Sequence, residues 1–232
     1  MSQFKHYAPV SDKQLGFYID SSRCSGCKAC QVACKDKNNL EVGRRFRRVY
    51  EVNGGNFIPT GQGGVSNNVF AYTLSISCNH CADPICTKNC PTTAMHKRPG
   101  DGIVRVDTDK CVGCGYCVQA CPYDARFINH ETNTADKCTF CAHRLEAGLL
   151  PACVESCVGE ARIIGDLNDP KSRISRLLRE HESALKVLKP EAHTQPRVFY
   201  LGMDEAFVSK VDGNPALRTL LTDDGKEIAH GH

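Results

Sequence analysis

Sixteen cysteines in a chain of 232 residues constrain the fold more than any other feature of this sequence. They fall into four groups of four, and none is left over. Group one is Cys24, Cys27, Cys30 and Cys34; group two is Cys78, Cys81, Cys86 and Cys90; group three is Cys111, Cys114, Cys117 and Cys121; group four is Cys138, Cys141, Cys153 and Cys157. Cysteine at this density indicates either a disulfide framework or metal ligation.

The spacing within the groups favours metal ligation. Groups one and three have the spacing C-x2-C-x2-C-x3-C, and Pro122 follows the last cysteine of group three. Bacterial ferredoxins bind [4Fe–4S] clusters with this run, and its fourth cysteine ligates the other cluster of a pair. The two-residue gaps let a tight loop direct three thiolates at one cluster, while the fourth lies beyond them in a helical turn. The sequence therefore predicts iron–sulfur clusters.

Three other uses of cysteine fit the sequence less well. Zinc sites prefer paired C-x2-C knuckles with longer gaps between the pairs, which only group four approaches. Neighbouring C-x2-C thiols pair poorly because of the geometry of a disulfide. Thiol catalysis is also disfavoured, and the sequence has no nucleotide-binding glycine motif, catalytic triad or paired acid–base carboxylates. Four clusters with only protein ligands leave no iron open to a substrate, so the chain is predicted to pass electrons without catalysing a reaction.

The cysteine groups lie within a repeated unit. Short β-patterned runs that reach an Asp precede groups one and three, at 17–24 and 103–111. After groups two, three and four, an alanine lies four residues past the last cysteine, at Ala94, Ala125 and Ala161. Arg126-Phe127-Ile128 and Arg162-Ile163-Ile164 then read as short strands. This order of strand, cluster loop, short helix and strand is the pattern of a two-cluster ferredoxin.

The ferredoxin rule assigns ligands once the groups are paired. Groups two and three are adjacent in sequence and pair with each other, so groups one and four pair around them. Each cluster then takes three cysteines from one group and the last cysteine from its partner. Cluster one is Cys24, Cys27, Cys30 and Cys157; cluster two is Cys34, Cys138, Cys141 and Cys153; cluster three is Cys78, Cys81, Cys86 and Cys121; cluster four is Cys90, Cys111, Cys114 and Cys117.

The predicted fold class is α+β, with two interleaved two-cluster ferredoxin-like domains. Residues 14–39 plus 136–165 form the domain of clusters one and two, and residues 78–135 form the domain of clusters three and four. Residues 40–77 are predicted to be a β-hairpin insertion, with strands at 46–52 and 69–76 and a Gly-rich turn at 53–55.

The C-terminal segment, residues 166–232, is predicted to be an extended docking tail. A helix is expected over 169–188, because Asp169 is a candidate cap, Pro170 suits the first turn, and apolar residues recur at helical spacing. The apolar run Val198-Phe199-Tyr200-Leu201 is expected to pack along the ferredoxin body and a partner.

Charge and hydropathy argue against a nucleic-acid site and against a membrane-spanning segment. The net charge is only +3, and the basic run at 44–48 is predicted to be a solvated face or a protein-docking surface, not a nucleic-acid site. No stretch of 18 apolar residues is present, so no transmembrane segment is expected within the chain. Residues 1–13 are polar and lack the apolar core and cleavage site of a secretory signal.

Several charged or ring side chains flank the cysteines. His80, His96 and His143 are expected beside the clusters or at the surface, because sixteen cysteines already complete four ligand sets. Lysines also flank the ligands, and either they raise the cluster potentials or they are simply solvated. These lysines are Lys28, Lys88, Lys110 and Lys137.

The order of the four groups, with the x4 gap in group two and the x11 gap in group four, resembles a known family. Over residues 14 to 166 the chain is similar to the four-cluster iron–sulfur B subunits of complex iron–sulfur molybdoenzymes. The stretches 16–24, 68–81 and 94–98 are most similar to the anaerobic dimethyl sulfoxide reductase branch. After Gly165, the stretches 166–170 and 189–191 resemble tetrathionate, polysulfide and arsenate reductase subunits.

The resemblance implies partners and a direction of electron flow. The catalytic partner would hold molybdenum–bis(pyranopterin guanine dinucleotide), and a membrane anchor subunit or cytochrome would supply electrons from quinol. Electrons would enter at cluster four and leave at cluster one. The nitrate reductase homologues have Trp at the position of Cys114, so Cys114 indicates a four-iron cluster here.

The resemblance also implies a location. The family's catalytic subunit carries a twin-arginine signal and the pair is exported together, so an extracytoplasmic, membrane-associated position is expected, with a cytoplasmic one as the alternative. The leading function is electron transfer to a dimethyl sulfoxide reductase. The alternatives are the same role for a tetrathionate, polysulfide, arsenate or formate enzyme, or a free polyferredoxin.

Overall fold

The computed structural model describes residues 12–61 and 63–203. Short strands alternate with short helices, so the fold class is α+β, as predicted. The strands are β1 (Leu15–Asp20), β2 (Arg47–Gly54), β3 (Phe57–Pro59), β4 (Val65–Asn67), β5 (Phe70–Ser77), β6 (Met95–Lys97), β7 (Val104–Val106), β8 (Phe127–Ile128), β9 (Ala135–Asp136), β10 (Arg162–Asp166), β11 (Leu185–Lys186) and β12 (Val198–Leu201). The helices are α1 (Ala29–Lys37), α2 (Ile85–Lys88), α3 (Tyr116–Gln119), α4 (Ala142–Glu146), α5 (Ala152–Glu155) and α6 (Arg173–Glu180).

The largest sheet brings distant parts of the chain together. Its four strands have the order β10-β1-β12-β11. Phe17 of β1 lies opposite Ile164 of antiparallel β10 and opposite Val198 of parallel β12. Five of the six residues of β1 are buried, as expected of a strand with neighbours on both edges. The sheet therefore places the residues before cysteine group one beside those after group four.

The segment between these strands has its own pairings. Strands β6 and β7 pair antiparallel, with Met95 opposite Val106, and β8 pairs with β9, with Phe127 opposite Asp136. Helix α2 packs against α3, and α1 packs against α5. Elements that flank groups two and three therefore contact each other, and so do elements that flank groups one and four.

The insertion at 40–77 contains the two strands expected there. Strands β2 and β5 pair over eight residues, from Arg47 opposite Ser77 to Gly54 opposite Phe70. Their buried side chains, which include Val49 and Leu74, pack in the same core as several of the cysteines. The connection between them is more regular than expected, because β3 and β4 form a second, exposed hairpin.

The helix expected over 169–188 is shorter than predicted. Helix α6 begins after Ser172, whose hydroxyl accepts a hydrogen bond from the Ser175 N–H at 3.1 Å. Asp169 does not cap it, because its carboxylate accepts the Lys171 N–H at 2.8 Å and stabilises the preceding turn. Leu185 lies in β11, opposite Leu201. Cross-strand pairing therefore overrides the helical periodicity at the C-terminal end of this stretch.

The described part of the C-terminal segment is not an extended tail. Val198, Phe199 and Tyr200 are at most 3% exposed, because β12 lies between β1 and β11 in the largest sheet. Parallel pairing with β1 supplies the backbone hydrogen bonds that an extended segment would lack. Residues 166–203 are thus part of the folded body. Residues 204–232, the rest of the predicted docking segment, and residues 1–11 lie outside the described residues.

Over 12–61 and 63–203, no helix is long and apolar enough to cross a membrane.

Candidate metal centres

One cysteine-lined cavity lies between the loop that precedes α1 and the residues that follow α5. Cys24, Cys27, Cys30 and Cys157 line this cavity of about 390 Å³. Cys30 lies in α1 and Cys157 follows α5, and these two helices pack together. The cavity wall also contains Ser75, whose hydroxyl lies 3.5 Å from the Cys30 sulfur. The contact between α1 and α5 therefore joins the last cysteine of group four to the first three of group one.

A second cavity, of about 230 Å³, also borders α1 and α5. Cys34, Cys138, Cys141 and Cys153 line it, together with Phe17, Phe46 and Phe140. All four of these cysteines are buried. Burial raises the pKa of Cys138 to about 12, and Arg47 opposes that shift. These thiols thus lie in an apolar, aromatic environment with a cation nearby.

A third cavity, of about 320 Å³, is bordered by α3, by the β6–β7 pair and by the residues that follow α2. Cys90, Cys111, Cys114 and Cys117 line it, together with Met95 and Val106. Gly113 has a φ of +67°, and a Cβ atom there would clash with the Asn133 carbonyl oxygen. The tight loop through Cys111 and Cys114 therefore depends on glycine at this position.

The remaining four cysteines lie together in the interior. Cys78, Cys81, Cys86 and Cys121 are at most 9% exposed. Burial raises the pKa of Cys81 to about 12, and the neighbouring thiols of Cys78 and Cys121 contribute. Burial also raises the pKa of Cys86 to about 11, again with contributions from Cys78 and Cys121. The four sulfurs are thus close enough for their charges to interact.

These four neighbourhoods contain the four cysteine sets that the spacing rule assigns. Within the described residues, no group of three or more His, Cys, Asp or Glu side chains converges closely enough to hold a single metal ion. Instead, three of the sets surround open cavities. Thiols that surround a space fit a multi-iron cluster, whose iron atoms each take one cysteine.

Backbone N–H groups are directed at several of the sulfurs. Phe140 donates to Cys138 at 3.4 Å, Met95 donates to Cys90 at 3.3 Å, and Ala135 donates to Cys111 at 3.3 Å. Such hydrogen bonds stabilise the thiolate form that ligates iron, and they influence the potential of an iron–sulfur cluster. The donor set and its surroundings therefore suit this class of cofactor.

A buried guanidinium contacts the Cys78 set. Arg126 is 7% exposed and donates from Nη2 to the Cys86 sulfur at 2.6 Å. Its Nε has no hydrogen-bond partner within the described residues. Burial alone would raise the pKa of Cys78, but Lys137 and Arg126 outweigh it and the pKa is lowered. Two buried cations thus favour the thiolate form here.

Two further guanidiniums flank one aromatic ring beside the first two sets. Arg47 and Arg162 lie 5.4 and 5.2 Å from the centre of the Phe17 ring. Burial would raise the pKa of Cys153, yet Arg47 and then Arg162 outweigh it, so the pKa is lowered. The expectation that 44–48 forms one solvated or docking face is therefore wrong for Arg47, which is 1% exposed. Its charge is buried because thiols surround it.

The four lysines that flank the ligands differ in environment. Lys137 is 1% exposed and donates to the carbonyl oxygens of Cys138, at 2.8 Å, and Val104. The other three are exposed and form ion pairs. These pairs are Lys28 with Glu51, Lys88 with Asp83 and Lys110 with Asp107. Only Lys137 of the four is therefore placed to act on the clusters from inside the protein.

The three histidines likewise differ. His80 is fully buried, its Nδ1 accepts the Val104 N–H at 3.0 Å, and its ring centre lies 3.7 Å from that of Phe140. Burial, with nearby cations, lowers the pKa of His80 well below its usual value, so the ring is neutral. His96 and His143 are exposed.

Arg126 and Arg162 are functional candidates that cysteine spacing alone does not reveal. They occupy the same position of the repeat, directly after Ala125 and Ala161. That shared position is a visible signal for a common role. Arg47 and Thr194 have no such signal, because they reach the cysteines from the insertion and the C-terminal segment.

Comparison with known proteins finds an iron–sulfur family and iron–sulfur relatives. Residues 69–167 match the family described as "4Fe-4S dicluster domain". The B subunit of the tetrathionate reductase of Salmonella typhimurium is 58% identical over 203 residues, which cover 86% of this chain and 77% of that protein.

Two other relatives are named for different substrates. The B subunit of the anaerobic dimethyl sulfoxide reductase of Escherichia coli is 47% identical over 190 residues, which cover 79% of this chain and 92% of that protein. The arsenate respiratory reductase iron–sulfur subunit of a Shewanella species is 36% identical over 236 residues, which cover 81% and 96%.

Proposed function

Since this chain is a member of the family of iron–sulfur B subunits of complex iron–sulfur molybdoenzymes, we propose that its cysteines hold four [4Fe–4S] clusters in the crossed sets given above. It is an electron-transfer subunit and not the catalytic subunit of its complex. The ligand assignment rests mainly on one observation. Three separate cavities are each lined by four cysteines that come from two different groups of the sequence.

The crossed sets imply two interleaved ferredoxin-like domains. The pairing of β1 with β10 and the packing of α1 on α5 support the outer domain. The pairing of β6 with β7 and the packing of α2 on α3 support the inner one. In each domain, a short helix links cysteines of different sets. Cys30 and Cys34 both lie in α1, where four residues rise about 6 Å. The chain therefore keeps paired clusters close.

When bound, each cluster would carry one electron at a time. The protein residues fix their positions, exclude water and offset negative charge. Cys34, Cys138, Cys141 and Cys153 are all buried, and so are the four cysteines of the Cys78 set. Arg47, Arg126 and Lys137 lie buried beside these thiols. Low exposure strengthens each of these charge interactions relative to water.

Exposure supports a linear order of the four clusters. Cys27, of the first set, is exposed, and Val158 beside Cys157 is 79% exposed. Cys114, of the fourth set, is also exposed, and Val112 beside Cys111 is 68% exposed. The first and fourth sets therefore reach the surface, while the second and third lie inside. We assign the molybdenum-containing catalytic partner to the first set and a membrane anchor subunit or cytochrome donor to the fourth.

The substrate of the catalytic partner is the finer part of the proposal. The sequence motifs favour dimethyl sulfoxide, with tetrathionate among the alternatives. Identity is 58% with the tetrathionate reductase relative and 47% with the dimethyl sulfoxide reductase relative. The stretches 166–170 and 189–191 resemble the tails of tetrathionate, polysulfide and arsenate reductase subunits. We therefore place tetrathionate first and dimethyl sulfoxide second.

The test is purification of the chain with its natural partner. We expect a large partner that contains molybdenum, and we expect the complex to reduce tetrathionate with a reduced viologen dye faster than it reduces dimethyl sulfoxide. Faster reduction of dimethyl sulfoxide would reverse the order of the two substrates. Purification of the chain alone, with clusters and without a molybdenum partner, would instead support a free polyferredoxin.

An extracytoplasmic position, reached by export together with the catalytic partner, is proposed as well. Fractionation of the native host would test it. Recovery of the complex from the outer face of the membrane is expected, and recovery from the cytoplasm would contradict it.

A further inference from the structure

Thr194 connects the C-terminal segment to the sulfur of Cys81. Its Oγ1 lies 3.4 Å from the Cys81 sulfur and 2.5 Å from the hydroxyl of Tyr123. Both Thr194 and Tyr123 are buried, at 4% and 2% exposure. The two hydroxyl groups and the sulfur thus form a hydrogen-bonded row inside the protein.

The backbone fixes Thr194 in this position. The N–H groups of Ala82 and Asp83 donate to the carbonyl oxygens of Gln195 and Thr194, at 2.8 and 3.1 Å. Arg197 donates in turn to the Asn79 carbonyl oxygen at 2.9 Å. The segment at 194–197 therefore lies against the loop that carries Cys78 and Cys81. The Thr194 side chain has little freedom to point elsewhere.

The chemistry of the row allows only one direction of donation. A cysteine that ligates iron is a thiolate and has no proton to give. Thr194 must therefore donate its single hydroxyl proton to the Cys81 sulfur. The contact between Thr194 and Tyr123 must then use the proton of Tyr123. Tyr123 donates to Thr194, and Thr194 donates to Cys81.

We propose that Tyr123 and Thr194 form a two-hydroxyl relay that raises the reduction potential of cluster three, an inference that rests on the proposed function. A hydrogen bond to a ligand sulfur is stronger when the cluster carries the extra negative charge of the reduced state. Donation by Tyr123 polarises the Thr194 hydroxyl and strengthens its bond to sulfur. Both residues are positioning residues, and Thr194 is the one that hydrogen-bonds the ligand sulfur.

The experiment is an anaerobic redox titration of the purified complex, followed by electron paramagnetic resonance. Thr194→Val should shift the one-electron equilibrium of cluster three by on the order of tenfold towards the oxidised form, which is 59 mV for one electron. Thr194→Ser keeps the hydroxyl and should restore the potential. Tyr123→Phe should lower the potential by a smaller amount. Tyr18→Phe, at a tyrosine in a separate apolar cluster, should leave it unchanged.

The double variant tests the order of the relay. Because Tyr123 acts only through Thr194, Thr194→Val combined with Tyr123→Phe should have the potential of Thr194→Val alone. An unchanged potential in Thr194→Val with full iron content would overturn the relay, as would additive shifts. If Thr194→Val assembles no cluster three, Tyr123→Phe alone decides, and an unchanged potential there overturns the proposal. Low iron in the unmodified chain would contradict the proposed function instead.

Discussion

Arg126 donates a hydrogen bond from Nη2 to the sulfur of Cys86 at 2.6 Å, and both side chains are buried. The two residues are 40 positions apart, one after cysteine group three and the other within group two. Thiols of Cys78, Cys121, Cys86 and Cys81 keep the pKa of Arg126 above its usual value, against the opposing effect of burial. The guanidinium is therefore charged at any physiological pH and compensates negative charge at cluster three.

Replacement of Arg126 should consequently lower the potential of that cluster. A hydrogen bond to a charged group contributes about 1.5–3 kcal/mol, and about 1.4 kcal/mol corresponds to a tenfold change in an equilibrium. We expect Arg126→Met to lower the potential by on the order of 60 mV, as measured by redox titration. Arg105→Met, in the neighbouring strand β7, is the control and should have no effect. A higher potential in Arg126→Met would contradict the assigned role.

The crossed ligation predicts which cysteines share a signal. Cys153 and Cys157 lie four residues apart, but they line different cavities. Cys157→Ser should therefore disturb the same paramagnetic signal as Cys24→Ser. Cys153→Ser should disturb the same signal as Cys138→Ser. If Cys157→Ser matched Cys138→Ser instead, the pairing of groups one and four would be refuted.

Truncation tests whether the C-terminal segment is needed for the fold that holds the clusters. Removal of all residues after Gly165 deletes β12, with the buried side chains of Val198, Phe199 and Tyr200. Each such side chain contributes about 1.5–3 kcal/mol, so the loss is comparable with a typical total stability of about 5–15 kcal/mol. We expect this variant to lose its clusters, as measured by visible absorbance and iron content.

Truncation after Met203 is the matched control, because it keeps every strand that the structure describes in the sheet. It should retain the clusters. The docking role proposed from sequence covers residues 166–232, and we expect its part after Met203 to contribute, so this shorter truncation should weaken co-purification with the partner. Full cluster content after removal of residues 166–232 would show that β12 is dispensable.

The ferredoxin pattern could be predicted from the sequence because cysteine spacing reports directly on which thiols share a loop. The strands before groups one and three, β1 and β7, follow from the β-patterned runs that lead up to the first cysteine. The position of β12 could not be predicted, because Val198-Phe199-Tyr200-Leu201 reads equally well as a docking segment. Its parallel partner β1 lies about 180 positions away in the sequence.

The buried cations around the cysteines could not be predicted from the sequence either. Arg47 lies within a basic run that suggests a surface, and only the β2–β5 pairing turns it towards Ser75 and Ser77. Helix α6 ends early because Leu185 pairs with Leu201, a tertiary contact that helical periodicity does not report. A shared role for Arg126 and Arg162 was more accessible from the sequence, because both occupy the same position of the repeat.

The order of clusters predicts a separation of two activities. Cys117 belongs to the exposed fourth set, next to the proposed donor. Cys117→Ser should block reduction of the complex by the physiological donor, and it should spare reduction by a small dye that reaches the catalytic subunit directly. Both activities are measured on the assembled complex. Equal loss of the two activities in a correctly assembled variant would show that the donor end is wrongly assigned.

The central claim is that the sixteen cysteines hold four [4Fe–4S] clusters. Chemical analysis of the anaerobically purified chain for iron and acid-labile sulfide tests it most directly. Four cubanes require about sixteen irons and about sixteen sulfides per chain. That result is predicted here. A value near eight of each, or stoichiometric zinc in their place, would contradict the account.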